Sequence, residues 1–306
     1  MKLHYHGIQP PKGLNTAEEI VSAEINRRQS NRGMSGFTTG LPMLDKATSG
    51  WSSGAMHIIC ARPSEGKTSL AIYNMLALSG AGIHSAYVGL ESPIKNTNMR
   101  IAGYRSGLSV NEISNLQERD EVTKKAFWRS LKEMDKLPMS IVDAPGMKPA
   151  DCAGWLRKLA TEDKAKVIFI DHFHNLTRGM DEGKMGEVSS GLMNTARELD
   201  VALVVLAQKN RAVLHREAAY FPSMGDLRGS GALEEDAHTI VDLNRPDLNR
   251  QVKYGDEASS DRSAHLAVIK AKDGVAGARV ICSFIDGRFS PEPPDNRNVG
   301  SLPSVD

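Results

Sequence analysis

The chain has 306 residues, of which 40% are hydrophobic and 25% charged, with a formal net charge of +1. That length holds one large α/β domain or two small ones. The near-neutral charge excludes a protein that coats nucleic acid over its whole surface, so any such contact must come from a local patch, such as a loop inside a channel. No apolar run of about 18 residues is present, which excludes a transmembrane helix. Residues 1–11 have no apolar core of signal-peptide length, which predicts an intracellular, cytoplasmic protein. Cys60, Cys152 and Cys282 lie far apart and form no metal-spaced cluster, so they read as reduced, buried thiols.

Residues 1–14 are polar and rich in Gly and Pro, a flexible lead-in. Thr16-Ala17-Glu18-Glu19 has the form of a capping box. The apolar stripe Ile20, Val21 and Ile25 then predicts a helix to about Arg28. Residues 29–36 read as a linker, so residues 1–36 form an N-terminal segment. The stripe must be buried on its own domain or on a neighbouring subunit.

From Phe37 the pattern alternates strands and helices. Strands are expected at 56–60, 86–90, 140–142, 167–170 and 201–207. Helices are expected at 68–78, in stretches of 93–136, at 149–162 and in a segment ending near Leu199. This alternation predicts a mostly parallel sheet covered on both faces, the α/β class. Three further strands, at 239–243, 265–271 and 280–285, suit antiparallel additions at the C-terminal edge. One domain is therefore expected over 37–290, followed by a disordered tail at 291–306.

Between the first strand and helix lie Ala61-Arg62-Pro63-Ser64-Glu65-Gly66-Lys67-Thr68, followed by Ser69. This matches the phosphate-loop pattern G-x-x-x-x-G-K-[ST] except at Ala61. Successive backbone N–H groups and a helix N-terminus cradle phosphate oxygens. Gly66 permits close approach, Lys67 neutralises the β- and γ-phosphates of ATP, and the Thr68 hydroxyl ligates Mg²⁺. The ordinary alternative is a plain strand–loop–helix turn.

A nucleotide motor needs a carboxylate for the attacking water and a second acid on the metal side, at the carboxyl ends of strands. Glu91 and Asp171 follow two of the predicted strands. Taken alone, each reads as a surface carboxylate or cap; together behind a phosphate loop they suit base and metal-side acid. Gln208 ends a third strand, where a neutral amide can sense the γ-phosphate. His172 and His174 flank Phe173, but an i, i+2 pair without a third ligand is a weak metal signal, so they read as loop or supporting groups.

These segments, in this order, resemble the hexameric replicative helicases of the DnaB type and the helicase half of phage primase–helicases. The resemblance rests on the phosphate loop with its Ala61, on Leu90-Glu91-Ser92-Pro93, on Ile170-Asp171-His172 and on residues 204–211. It also includes Asp226-Leu227-Arg228-Gly229-Ser230-Gly231-Ala232-Leu233-Glu234, similar to the loop that grips single-stranded DNA. It extends over residues 16–288 and implies a RecA-like core. It further implies ATP and Mg²⁺ as cofactors and a ring, a hexamer, that translocates 5′ to 3′. A primase, polymerase or helicase loader is implied as partner. Arg228 would carry charge to a phosphate, and Gly229, Ser230 and Gly231 would let the backbone approach it. The plain alternative there is a Gly-rich turn before a helix capped by Ser230. Arg178 and Lys184 would add a second channel loop.

Residues 269–274 resemble the segment that sends a basic finger into a neighbour's ATP site. Where that family places an arginine this chain has Lys272, a point charge without the bidentate fork, with Lys270 two residues before it to share the task. The plain alternative is a basic edge strand. Fewer than 40 residues precede the expected motor fold, so no amino-terminal helical domain or fused primase is expected. The helix at 16–28 resembles the one that docks on the adjacent subunit. A RecA-like recombination or regulatory ATPase is the alternative function, but no polymerising aromatic motif or recombination-type DNA loop is found. A non-catalytic nucleotide-binding module would lack Glu91 or Asp171, and both are present.

Overall fold

The structure, a computed structural model of the chain, describes residues 17–30, 33–209, 222, 225, 227, 230–245 and 263–291. The first helix, α1 (Ala17–Ser30), carries Glu18 and Glu19 in its first turn, where carboxylates favour the helix dipole. Thr16, the expected cap, lies outside the described residues. Val21 and Ile25, two residues of the stripe, are about half exposed. The helix consumes Gln29 and Ser30 of the expected linker. At the linker's other end Ser35 is buried, and Phe37 pairs with Trp51 as an isolated bridge.

A short helix that the sequence reading missed, α2 (Pro42–Thr48), starts with Pro at its first turn. Then follow β1 (Ala55–Ala61), α3 (Lys67–Gly80), β2 (Ser85–Gly89), α4 (Ile94–Ser106), α5 (Val110–Ser114), α6 (Glu121–Met134), β3 (Met139–Asp143) and α7 (Pro149–Thr161). The second half runs β4 (Val167–Asp171), α8 (Phe173–Leu176), α9 (Glu182–Leu199), β5 (Ala202–Gln208), α10 (Ser230–Asp236), β6 (Thr239–Asn244), β7 (Ser263–Ala271), β8 (Arg279–Ile285) and β9 (Arg288–Pro291). Ser109 and Glu112 form a full capping box on α5, and Asp120 caps α6. The tail is expected from Pro291, but Pro291 ends β9, paired with Cys282; residues 292–306 lie outside the described residues.

The strands form one sheet in the order β3-β2-β4-β5-β1-β6-β7-β8-β9. Its central strands are apolar along their length because both faces are covered. Along β5, Ala202, Val204 and Leu206 join one core with Leu44, Leu70 and Phe169. Leu203, Val205 and Ala207 join the other, with Leu156, Leu192 and Leu233. A period of two on a doubly covered strand thus yields an unbroken apolar run.

The expectation that all three late strands are antiparallel additions is corrected at β6. It pairs parallel with β1, through His57–Thr239 to Cys60–Asp242. The chain leaves β5, passes through α10 and returns to the same end of the sheet before β6 begins, and a helical crossover of that kind yields a parallel neighbour. Among the described strands, β7, β8 and β9 pair antiparallel, with direct reversals from β7 to β8 and from β8 to β9. No described helix is long and apolar enough to cross a membrane. All three cysteines are buried, and none forms a disulfide.

Candidate functional site

Parallel pairing places the carboxyl ends of β2, β4, β5 and β1 side by side at one edge of the sheet. That edge collects Glu91, Asp171, Gln208 and Ala61 from segments far apart in sequence. Open α/β sheets bind ligands at this edge.

The loop between β1 and α3 is closed by its own side chains. Gly66 caps α3 at φ 104, a left-handed conformation that strains any L side chain. A Cβ there would also lie 3.3 Å from the Phe284 ring. Glu65 turns inward, and its Oε2 accepts from the Arg62 N–H at 2.7 Å. Pro63 and Ser64 are exposed. Lys67 is buried, its Nζ 3.4 Å from the carbonyls of Ala61 and Arg62. Burial pulls its pKa below the usual lysine value, opposed by Asp171, Glu65 and Glu91. Such an ammonium is dehydrated and already close to three carboxylates, which suits it to an anion with more charge than any one of them. On the next turn Ser69 Oγ accepts from Arg100 Nη1 at 3.0 Å.

Asp171 is the last residue of β4 and is 3% exposed. Its Oδ2 accepts from Thr68 Oγ1 at 2.5 Å and from Tyr87 OH at 2.6 Å. Among the described residues no three His, Cys, Asp or Glu side chains group so as to hold a metal ion. A magnesium ion does not require such a cage; it takes one or two protein oxygens and fills its shell with water and substrate phosphate. The convergent oxygens of Thr68 and Asp171 fit that donor set.

Glu91 stands two residues past β2 with a side chain 56% exposed. Its Oε2 is 3.2 Å from His172 Nε2. The His172 ring is nearly enclosed, and burial lowers its pKa against the pull of Glu91 and Asp171. Gln208 ends β5, with its side-chain Nε2 3.0 Å from the same His172 nitrogen. Its backbone N–H donates to His174 Nδ1 at 3.3 Å. His172 and His174 thus contact the residues around the acids.

Lys272 lies just past β7 and is exposed. Its segment is seated firmly: Lys272 N–H donates to His238 O at 3.1 Å and Val275 N–H to Ala47 O at 2.7 Å. A Cβ on Gly274 would come within 2.2 Å of the Ala47 carbonyl. Lys270, in β7, instead donates to the Glu234 and Glu235 carbonyls at the end of α10. Its ammonium caps the helix that follows the expected DNA loop. Of that loop, Arg228 and Gly229 lie outside the described residues, Ser230 begins α10 and Gly231 is exposed. Arg178 is exposed after α8, while Lys184 sits in the first turn of α9 rather than in a loop.

Several site neighbours escaped the sequence reading. Tyr87 and Arg100 are two, and neither belongs to a motif. Lys209 forms a 2.5 Å ion pair with Asp242 beneath the phosphate loop. Arg245 stacks over the Phe284 ring at 4.0 Å, beside Gly66. The signal was present for Lys209, since a lysine ending an apolar strand needs a partner, but the partner is 33 residues away on another strand.

The family model of the DnaB-like helicase C-terminal domain matches residues 36–287. The replicative DNA helicase DnaB of Treponema pallidum (strain Nichols) is 30% identical over 240 residues, which are 76% of this chain and 53% of that protein. The chain therefore spans about half the length of this relative. Among solved structures, the ATPase domain of G40P superposes with a TM-score of 0.79 over 91% of this chain and 99% of its own, at 24% identity. A DnaB-like replicative helicase, described with its interactions with primase, superposes with a TM-score of 0.78 over 92% of this chain and 68% of its own, at 24% identity. These two likenesses establish the RecA-like fold.

Proposed function

Because the chain belongs to the DnaB-like helicase C-terminal domain family, we propose that it is the motor of a replicative DNA helicase. It works in the cytoplasm as a homo-oligomeric ring, a hexamer, that moves 5′ to 3′ on single-stranded DNA and unwinds duplex by hydrolysing ATP. The observation that carries this reading is the meeting of Lys67, Thr68, Asp171, Glu91 and Gln208 at one sheet edge around a closed phosphate loop. Residues 37–291 are the motor, 1–36 a segment that docks through α1 on the next subunit, and 292–306 a tail.

In this reading the amides of Ser64, Gly66 and Lys67 donate to phosphate oxygens, Arg62 and Glu65 close the loop around them, and Lys67 neutralises the β- and γ-phosphates. Ala61, Pro63 and Ser69 complete the loop's frame. Thr68 and Asp171 hold Mg²⁺, which supplies charge neutralisation of the phosphates. Glu91 orients and deprotonates the attacking water, and Gln208 hydrogen-bonds the γ-phosphate. The stacked Arg245 and Phe284 offer a flat base a surface next to Gly66. Lys272 reaches the neighbouring subunit's nucleotide, with Lys270 bracing α10 behind it. Arg228, Gly229, Ser230 and Gly231 contact DNA phosphate. A primase, polymerase or loader is the partner class.

The decisive experiment measures unwinding of a forked duplex by the full chain alongside ATP hydrolysis. Glu91→Gln should bind ATP normally and lose about 10²-fold or more in turnover, the size of a general-base contribution, with unwinding abolished. Lys67→Ala should lose ATP binding itself. A wild-type chain that hydrolyses ATP on single-stranded DNA without unwinding would favour the RecA-like regulatory ATPase instead.

A further inference from the structure

His172 has no role in the scheme above, yet its ring lies between two residues that do. One atom, Nε2, is 3.2 Å from Glu91 Oε2 and 3.0 Å from Gln208 Nε2. The side chain is only 4% exposed. The other ring nitrogen, Nδ1, is buried without a hydrogen-bond partner among the described residues. The ring therefore meets the site through a single nitrogen.

The backbones on all sides are tied down. Leu90 N–H donates to Asp171 O at 2.7 Å, and Asn175 N–H donates to His172 O at 3.0 Å. Asn175 Nδ2 donates to Leu90 O at 3.3 Å, and His174 holds the Gln208 amide. What remains free to move is the side chains of Glu91 and Gln208.

A neutral imidazole nitrogen carries either one proton or one lone pair. With the proton, Nε2 donates to the Glu91 carboxylate and offers the Gln208 NH₂ nothing. With the lone pair, it accepts from Gln208 and confronts the carboxylate lone pair to lone pair. If the Gln208 amide is turned the other way, one N–H faces two acceptors. In every arrangement the two partners compete.

We propose that His172 is a positioning residue that couples the γ-phosphate sensor to the general base. This rests on the reading of Glu91 and Gln208 given above. The ring is neutral with its proton on Nε2 throughout. With no γ-phosphate present, the Gln208 amide oxygen accepts that N–H, leaving Glu91 unheld. When the Gln208 amide turns to a γ-phosphate, the same N–H donates to the Glu91 carboxylate and fixes it toward its water. Glu91 is thereby held in working geometry only when there is a γ-phosphate to attack.

The test uses the full chain with ATP and single-stranded DNA, reading kcat and KM for ATP separately together with the melting temperature. His172→Phe keeps the ring volume and removes Nε2. It should lower kcat about tenfold or more, the loss expected for one hydrogen bond to a charged group, with KM unchanged. Adding Gln208→Ala to it should cost less than Gln208→Ala costs alone, because the route from sensor to base is already cut. His172→Gln can donate to Glu91 and accept from Gln208 at once, and should recover most of kcat. If His172→Phe fails to fold, His172→Asn, too short to reach both partners, replaces it. Independent, multiplicative losses from the two positions would overturn the coupling, as would a folded His172→Gln as slow as the Phe or Asn variant. Normal kcat in Glu91→Gln or in Gln208→Ala alone would instead overturn the underlying site assignment.

Discussion

Lys209 and Asp242 form a 2.5 Å ion pair whose side chains are 5% and 1% exposed, and Lys209→Met removes one half of it. Asp242 Oδ1 would then keep only the Cys60 thiol, at 3.4 Å, while Oδ2 has no partner among the described residues. Breaking a buried pair from one side costs about 3–5 kcal/mol, because the remaining charge is uncompensated. At about 2–4 °C per kcal/mol for a domain of this size, the melting temperature should fall by about 6–20 °C at neutral pH. Burial already pushes the Asp242 carboxyl up to about 6 with the ammonium in place, and removing that ammonium raises it further. A carboxyl raised in the folded state contributes stability that is fully present below its unfolded value and lost as pH rises through the folded one. The deficit against wild type is therefore largest at neutral pH and shrinks as pH falls through the raised value. Lys209→Met with Asp242→Leu, which removes both charges, should recover most of the loss. Calorimetry of the full chain at several pH values reads all three effects. A single variant melting within about 2 °C of wild type at neutral pH, given that scale, would refute the reasoning, as would a deficit that does not change with pH.

Tyr87→Phe removes one donor from Asp171 without touching Thr68; it should change the Mg²⁺ concentration needed for half-maximal ATP hydrolysis while leaving the melting temperature within a few degrees, and an unchanged Mg²⁺ titration would argue against Asp171 on the metal side. Arg228→Ala should weaken single-stranded DNA binding and reduce its salt dependence by about one counterion per subunit; basal hydrolysis should survive, and a steep, unaltered salt slope would remove Arg228 from the DNA loop. Lys272→Ala should keep DNA binding and lose hydrolysis. Activity should partly return on mixing with Glu91→Gln subunits, since mixed rings contain interfaces with both groups intact; mixtures no better than the sum of the two variants would place Lys272 outside the neighbour's site.

The parts that were legible in the sequence are those whose physics is local. Phosphate binding needs a backbone bend, a cation and a hydroxyl within eight residues, so Ala61 to Thr68 could be read directly. Glu91, Asp171 and Gln208 could be expected at one place because each ends or closely follows an apolar strand, and parallel strands bring such ends to one edge. The apolar runs predicted the sheet for the same reason: two covered faces leave no polar positions. What tertiary structure alone decided is which of these segments become neighbours. The parallel pairing of β6 with β1 depends on a crossover, and nothing in residues 239–244 distinguishes a parallel from an antiparallel neighbour. Lys209 meets Asp242, Tyr87 meets Asp171, and His172 stands between Glu91 and Gln208 because strand order and register set these distances. A sequence states which groups require partners; only the packing of the sheet, a sum over many distant contacts, determines which partners they receive.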